Sequence, residues 1–281
     1  MSTSVTVDPS LAESGNQVSL EPSESETPMT LAQELCFKTI DAITRRFPEL
    51  KEIRPGGKPF RGLSTAANPE AGAVRIWNGD RIARMVYIGL RSELPRHDGV
   101  TGTMLVDSHM VFAFTPKESA IPHFTLDSVH AANYLAFHLD LIPRVDLGAN
   151  LAYMDAVYGG LVTDAQAETK KAEGFSPAQL SSRQLAVMSP WMLANRATPE
   201  AFGKIPVMIY LDQWSRLIEN GLPAAATEGL TATDLARRDA QNRSVLFNKI
   251  VDPVWVQIET MIGQDVGEEL RVLLCRQDRD I

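Results

Sequence analysis

Sharp motifs are scarce in this sequence, and each missing one removes a class of chemistry. Only 2 cysteines occur in 281 residues, Cys36 and Cys275, far apart and with no paired CxxC around either. Both read as buried free thiols in a reducing cytosol. No stretch approaches 18 uninterrupted apolar residues, which argues against a membrane span. No GxGxxG follows an apolar strand, so a Rossmann nicotinamide or flavin site is unsupported. The Gly56-Gly57-Lys58 triplet has neither Walker spacing nor a strand before it. GxSxG, HExxH and the EF-hand loop are also missing.

Basic residues are absent from positions 1–29, which carry Asp8, Glu13, Glu21, Glu24 and Glu26. The segment is rich in Ser, Glu, Thr and Pro and has no amphipathic period. It reads as a disordered acidic tail, neither a secretory signal nor a transit peptide. Five of the eight net negative charges of the chain sit there. The opposite bias appears in 45–61 (RRFPELKEIRPGGKPFR), with six basic residues against two acidic ones. A basic patch on a mildly acidic body argues against nucleic-acid binding. It fits docking of a small acidic protein or an acidic ligand, and equally a solvated loop.

What is present is material for a core: 44% of residues are hydrophobic and 22% charged. Residues 30–281 read as one domain. Thr30 opens a helix with the capping-box pattern TLAQ, and Pro48 closes it. The middle third is strand-rich. Asn78-Gly79 between apolar runs signals a hairpin, and the segments that follow are too closely spaced for βαβ crossovers, which implies an antiparallel meander. The last 130 residues read mostly helical. Ser176-Pro177 is a candidate helix start, Gly221 a helix stop, and Asp252-Pro253 another start. The expected fold class is α/β, a three-layer α/β/α sandwich with helices on both faces of a largely antiparallel sheet.

Strand alternation sorts the polar candidates. In YLAFHLDLI (134–142), Leu135, Phe137, Leu139 and Leu141 share one face, and Ala136, His138, Asp140 and Ile142 the other. In HFTLDSV (123–129), His123, Thr125 and Asp127 point together. If the two strands form a hairpin in suitable register, Asp127 shares a polar face with His138 and Asp140. A carboxylate at a strand centre costs desolvation unless paired, so Asp127 reads either as an ion-pair member or as a functional acid. His138 is either a satisfied interior histidine or a proton relay, and Asp140 either a strand end, a partner of Arg144, or part of the site. The histidine and carboxylate spacing matches no metal pattern, and no metal is expected.

The order of RMVYIGLRSELP, IPHFTLDSVH, YLAFHLDLIPRVDLGANLAYMDAVY, SPWMLANRA and LARRDAQNRSVLF resembles the red chlorophyll catabolite reductase branch of the ferredoxin-dependent bilin reductase superfamily. The resemblance runs patchily over about residues 80–275. It implies an α/β/α sandwich holding an open-chain tetrapyrrole between the sheet and the C-terminal helices. It also implies no bound redox cofactor, single electrons from ferredoxin, and protons from protein carboxylates or a histidine. Asp127 falls where the plant reductases carry a glutamate, one methylene longer. Asp252 is the nearest match to a second family acid. His138 and Asp140 match no known role by position, and His138 is taken as support for Asp127. His123 and Asp140 are expected beside the substrate. Arg196, Arg237, Arg238 and Arg243 are candidates for its propionates, since guanidinium pairs carboxylates bidentately. The expectation is a cytoplasmic reductase of a linear tetrapyrrole with ferredoxin as partner. A tetrapyrrole-binding protein without turnover is the alternative.

Overall fold

The computed structural model describes residues 29–95, 101–131 and 134–278, so the acidic tail read over 1–29 lies outside the described residues except for Met29. Among the described residues one antiparallel sheet organises the chain. Its strands are β1 (Lys51–Ile53), β2 (Arg61–Leu63), β3 (Gly72–Asn78), β4 (Arg84–Pro95), β5 (Thr103–Phe114), β6 (His123–Ala131), β7 (Tyr134–Ile142), β8 (Phe175–Pro177) and β9 (Leu193–Ala197). They lie in the order β1-β3-β4-β5-β6-β7-β9-β8, with β2 also against β3. The consecutive pairing of β3 to β7 is the meander that the short connections demanded.

Alternation gives the sheet two apolar faces, and each is covered by helices. On the first face α1 (Leu31–Arg46), α2 (Leu151–Tyr158), α3 (Leu161–Lys171), α5 (Pro199–Phe202), α6 (Val207–Asn220) and α7 (Ala224–Thr227) pack over residues such as Val111, Leu126, Leu139 and Leu141. On the second, α8 (Leu235–Leu246), α9 (Val254–Ile262) and α10 (Gln264–Cys275) pack over Val74, Ile76, Val86, Ile88, Met110 and Phe112. The three-layer α/β/α arrangement is therefore the observed one. Thr30 caps α1 as expected, its hydroxyl accepting from the Gln33 amide at 3.2 Å, and α6 stops at Gly221.

Several local expectations change. The Asn78-Gly79 hairpin forms, but its connection takes residues 79–83 rather than two, because Ile82 drops into the first core before β4 begins. Ser176-Pro177 does not start a helix. It lies in β8 at the sheet edge, where a proline's missing N–H is tolerated. The helix there is α4 (Ser182–Val187), begun by Ser181 in a reciprocal capping box with Gln184. Residues 193–197, read as part of a helical third, form β9, which pairs with β7 and extends the sheet. The long run after Asp252 is two helices, since Gly263 at φ 91° breaks it between α9 and α10. Cys36 is fully buried and Cys275 half-buried, and both are free thiols. Burial pushes the Cys36 thiol up to about 12, which leaves it inert as a nucleophile.

Candidate functional site

The apolar second face is interrupted at β5, β6 and β7. A cavity of about 210 Å³ opens there, floored by strand residues that include Thr125, Asp127 and His138. Its other wall comes from Gln184 on α4, Phe247 after α8, and Asp252 and Trp255 at the start of α9. The register places Asp127 directly opposite His138, and Thr125 opposite Asp140. This is the pairing in which the polar sides of the two strands coincide. Asp127 and His138, on strands, and Asp252, before a C-terminal helix, are thus brought to one cavity.

Asp127 Oδ2 faces His138 Nδ1 at 3.5 Å. Both side chains stay partly accessible, 33% for Asp127 and 16% for His138, so a ligand in the cavity can touch them. Burial opposes a charge on His138, but Asp127, with help from Asp140 and Asp252, outweighs it and raises the imidazole above its ordinary value. Asp252 is raised chiefly by burial and also by the negative charge of Asp127. Its Oδ1 accepts from the Val254 amide at 3.2 Å and from Gln184 Nε2 at 3.4 Å, which fixes the carboxyl at the mouth of α9. Among the described residues, Asp127 Oδ1, His138 Nε2 and Thr125 Oγ1 have no hydrogen-bond partner. A site with an imidazole raised towards its protonated form, a carboxyl shifted towards its acid form and three unengaged polar atoms is equipped to hold a polar ligand and pass protons to it.

Asp140 is on the same sheet face but is not among the cavity residues. It is fully buried, accepting from the Ser189 amide at 2.8 Å and the Ser189 hydroxyl at 2.5 Å. Burial raises its pKa to about 6. It therefore anchors the end of the α4 segment rather than pairing with Arg144. Gln184 ties the other end of that segment to Asp252, so two carboxyls hold α4 over the cavity.

His123 also lies away from the cavity. Its Nδ1 accepts from the Thr115 amide at 3.1 Å, so Nε2 carries the proton and donates to Asp239 Oδ1 at 2.6 Å. Burial, then the nearby Arg144 charge, lowers the imidazole to about 3, so it is neutral. Burial works against the Asp239 carboxylate, but the hydrogen bond from His123 and the charges of Arg243 and Arg144 hold it well below the usual range. Arg243, a propionate candidate by sequence, is committed to this cluster: it lies 3.0 Å from Asp239 Oδ2 and over the Phe114 ring. Arg237 is exposed and Arg238 half-buried on α8, and neither lines the cavity. Arg196 is exposed on β9, opposite Ala136 and thus on the His138 face, with its guanidinium 4.9 Å from the Tyr134 ring centre. Among the described residues no group of three or more His, Cys, Asp or Glu is placed to hold a metal ion.

Sequence reasoning left Asp239, Gln184, Phe247 and Trp255 unmarked. Nothing local distinguishes them, because each matters through a partner far along the chain. Thr125 was visible, two residues from Asp127 on the same face.

No protein-family model and no curated protein matches the sequence. A search of solved structures does find a likeness, to the crystal structure of selenomethionine phytochromobilin synthase from tomato in complex with biliverdin. It covers 88% of this chain and 83% of that one, with a TM-score of 0.62 and 16% identity. The chain has the fold of tomato phytochromobilin synthase. This shared fold agrees with the architecture implied by the resemblance to the bilin reductases. At 16% identity the likeness is one of fold.

Proposed function

We propose that the protein is a ferredoxin-driven reductase of a linear tetrapyrrole. The observation that carries this reading is the convergence of Asp127, His138 and Asp252 on one cavity between the sheet and the C-terminal helices. The shared fold supports it, since the tomato enzyme of that fold was solved with biliverdin. Reduction of one tetrapyrrole double bond consumes two electrons and two protons. The electrons come singly from reduced ferredoxin, and the protons from the cavity. Asp127 is the leading donor. His138, raised by the neighbouring carboxylates, shares the proton of the pair and resupplies Asp127, and Asp252, shifted towards its acid form, completes the count. Each donor is reprotonated from solvent between turnovers.

The cavity of about 210 Å³ lies below the roughly 300–1,000 Å³ common for ligand sites, so its helical wall must move outward to admit a whole tetrapyrrole. Of the basic residues in 45–61, Arg45, Arg46 and Arg61 are ion-paired within the chain, to Asp41, to Asp212 and Glu219, and to Glu269. Lys51 donates to the Pro48 carbonyl at 3.1 Å, and Arg54 and Lys58, exposed in the turn between β1 and β2, are the residues we assign to docking an acidic ferredoxin.

The reading is tested with purified protein, reduced ferredoxin, its reductase and biliverdin or a red chlorophyll catabolite, without oxygen. Ferredoxin-dependent bleaching of the long-wavelength band is expected, with Asp127→Asn retaining binding and losing most turnover. No spectral change with any linear tetrapyrrole would sink the proposal. A second reading, a tetrapyrrole-binding protein without turnover, is favoured by the shorter reach of Asp127 relative to glutamate. Tight biliverdin binding with no electron-dependent bleaching would establish it instead.

A further inference from the structure

We propose that Thr125 is a substrate-contacting, orientation-determining residue of this cavity: its hydroxyl donates a hydrogen bond to a terminal lactam carbonyl of the tetrapyrrole. It thereby sets which double bond lies over Asp127 and His138. This role rests on the tetrapyrrole reading of the cavity.

Thr125 lies on β6 and lines the cavity, yet only 2% of its surface is exposed. Its Oγ1 has no hydrogen-bond partner among the described residues. The neighbours across the strands do not engage the hydroxyl. On β5 its register partner is Phe112, which has no polar side-chain atom. On β7 the partner is Asp140, whose two oxygens are engaged by the Ser189 amide and hydroxyl. A valine has the same branched shape and suits a strand equally well. Burying a hydroxyl with no partner is unfavourable, so the fold alone gives no reason for threonine here. The atom completes its hydrogen bond with whatever fills the cavity.

The chemistry of the three unengaged atoms points to the class of that group. Asp127 Oδ1, the oxygen that does not face His138, suits a pyrrole nitrogen to which the carboxyl can pass a proton. His138 supplies a proton. Thr125 is the neutral donor of the set and matches a neutral carbonyl oxygen. A linear tetrapyrrole has such oxygens at its two ends and N–H groups between. Successive same-face residues on a strand are about 7 Å apart, so Thr125 reads a position displaced along the ligand from the one over Asp127. The β-branched side chain has little rotamer freedom, which fixes the direction in which the hydroxyl points.

The experiment titrates biliverdin into the wild-type protein, Thr125→Val and Thr125→Ser by absorbance, and melts each protein without ligand. Loss of one buried neutral hydrogen bond corresponds to a roughly three- to tenfold rise in Kd for Thr125→Val. Thr125→Ser should stay within about twofold. The ligand-free melting temperature of Thr125→Val should be unchanged or higher, because an unpartnered hydroxyl is removed. Under ferredoxin-driven turnover the valine variant should yield a mixture of reduction isomers. Equal affinity of wild type and Thr125→Val overturns the inference while leaving the tetrapyrrole reading intact. A lowered ligand-free melting temperature in both variants assigns Thr125 a structural role and overturns it likewise. A wild-type protein that binds no linear tetrapyrrole overturns both.

Discussion

Replacing Asp239 with alanine should be among the most damaging single changes in the protein. The carboxylate is fully buried and sits between His123 at 2.6 Å, Gln277 at 2.5 Å, Arg243 at 3.0 Å and Arg144 at 3.4 Å. Arg144 and Arg243 are themselves almost fully buried, and Arg144 otherwise bonds only neutral oxygens, those of Thr115, Pro116 and Lys117. Alanine leaves two guanidinium charges in the interior without a counter-charge and strands the His123 N–H. Breaking a buried pair from one side costs about 3–5 kcal/mol. With about 2–4 °C lost per kcal/mol in a domain of this size, the melting temperature should fall by roughly 6–20 °C. Differential scanning calorimetry at pH 7 reads this directly. Asp212→Ala, which removes a half-exposed partner of Arg46, serves as the control and should cost at most about 1 kcal/mol. An Asp239→Ala transition indistinguishable from that control would refute the reasoning that this charge balance holds α8 to the sheet. The same cluster sets an acid limit. His123 is held at about 3, below its ordinary 6.5. Between those values the unfolded chain takes up a proton that the native state refuses, so stability falls as pH falls, by about 1.4 kcal/mol per unit at most. Asp239, lowered in the fold, adds a further loss only at more acidic pH.

Gly89→Ala should cost about 1–3 kcal/mol of stability, read as a lower urea midpoint. The added methyl would collide with the Tyr87 hydroxyl and come within 3.1 Å of His109 Nδ1, where those two groups share a 2.8 Å hydrogen bond. Asp140→Ala removes both acceptors of Ser189. Hydrogen exchange over 182–187 should quicken by an amount equivalent to about 2 kcal/mol, while exchange in β4 stays unchanged. Turnover should decline on the alkaline side through a pKa above the ordinary histidine value, since His138 donates only when protonated, and His138→Gln should abolish that limb of the pH–rate profile. Charge reversal of Arg54 and Lys58 together should slow ferredoxin-driven turnover most at low salt and leave biliverdin affinity unchanged, because exposed charge pairing is screened.

Much of the second sheet face is legible in the residue order alone. Leu135, Phe137, Leu139 and Leu141 opposite His138, Asp140 and Ile142 follow from a two-residue period, and that period comes from backbone geometry. The meander is legible from short connections. The short strands β8 and β9 are not, because three to five residues next to helices carry too little period to read, and their pairing into the sheet, β9 on β7 and β8 on β9, is what makes them strands.

By itself, then, the sequence determined local things: which residues alternate to a common face of their own strand, where α1 and α6 begin or end, and that His138 and Asp140 share one side of a strand, with Asp127 joining them only if the register of the neighbouring strand allows. Tertiary structure decided how those groups were divided. It placed Asp127 opposite His138, brought Asp252 to them from 125 positions after Asp127 in the numbering, and withdrew Asp140 to Ser189, His123 to Asp239 and Arg243 to the same buried cluster. The reason is physical. Facing is set by the covalent pleat of each strand, but the partner of a buried charge is set by which helix docks over it. Docking is a property of the assembled core that no short window of sequence contains.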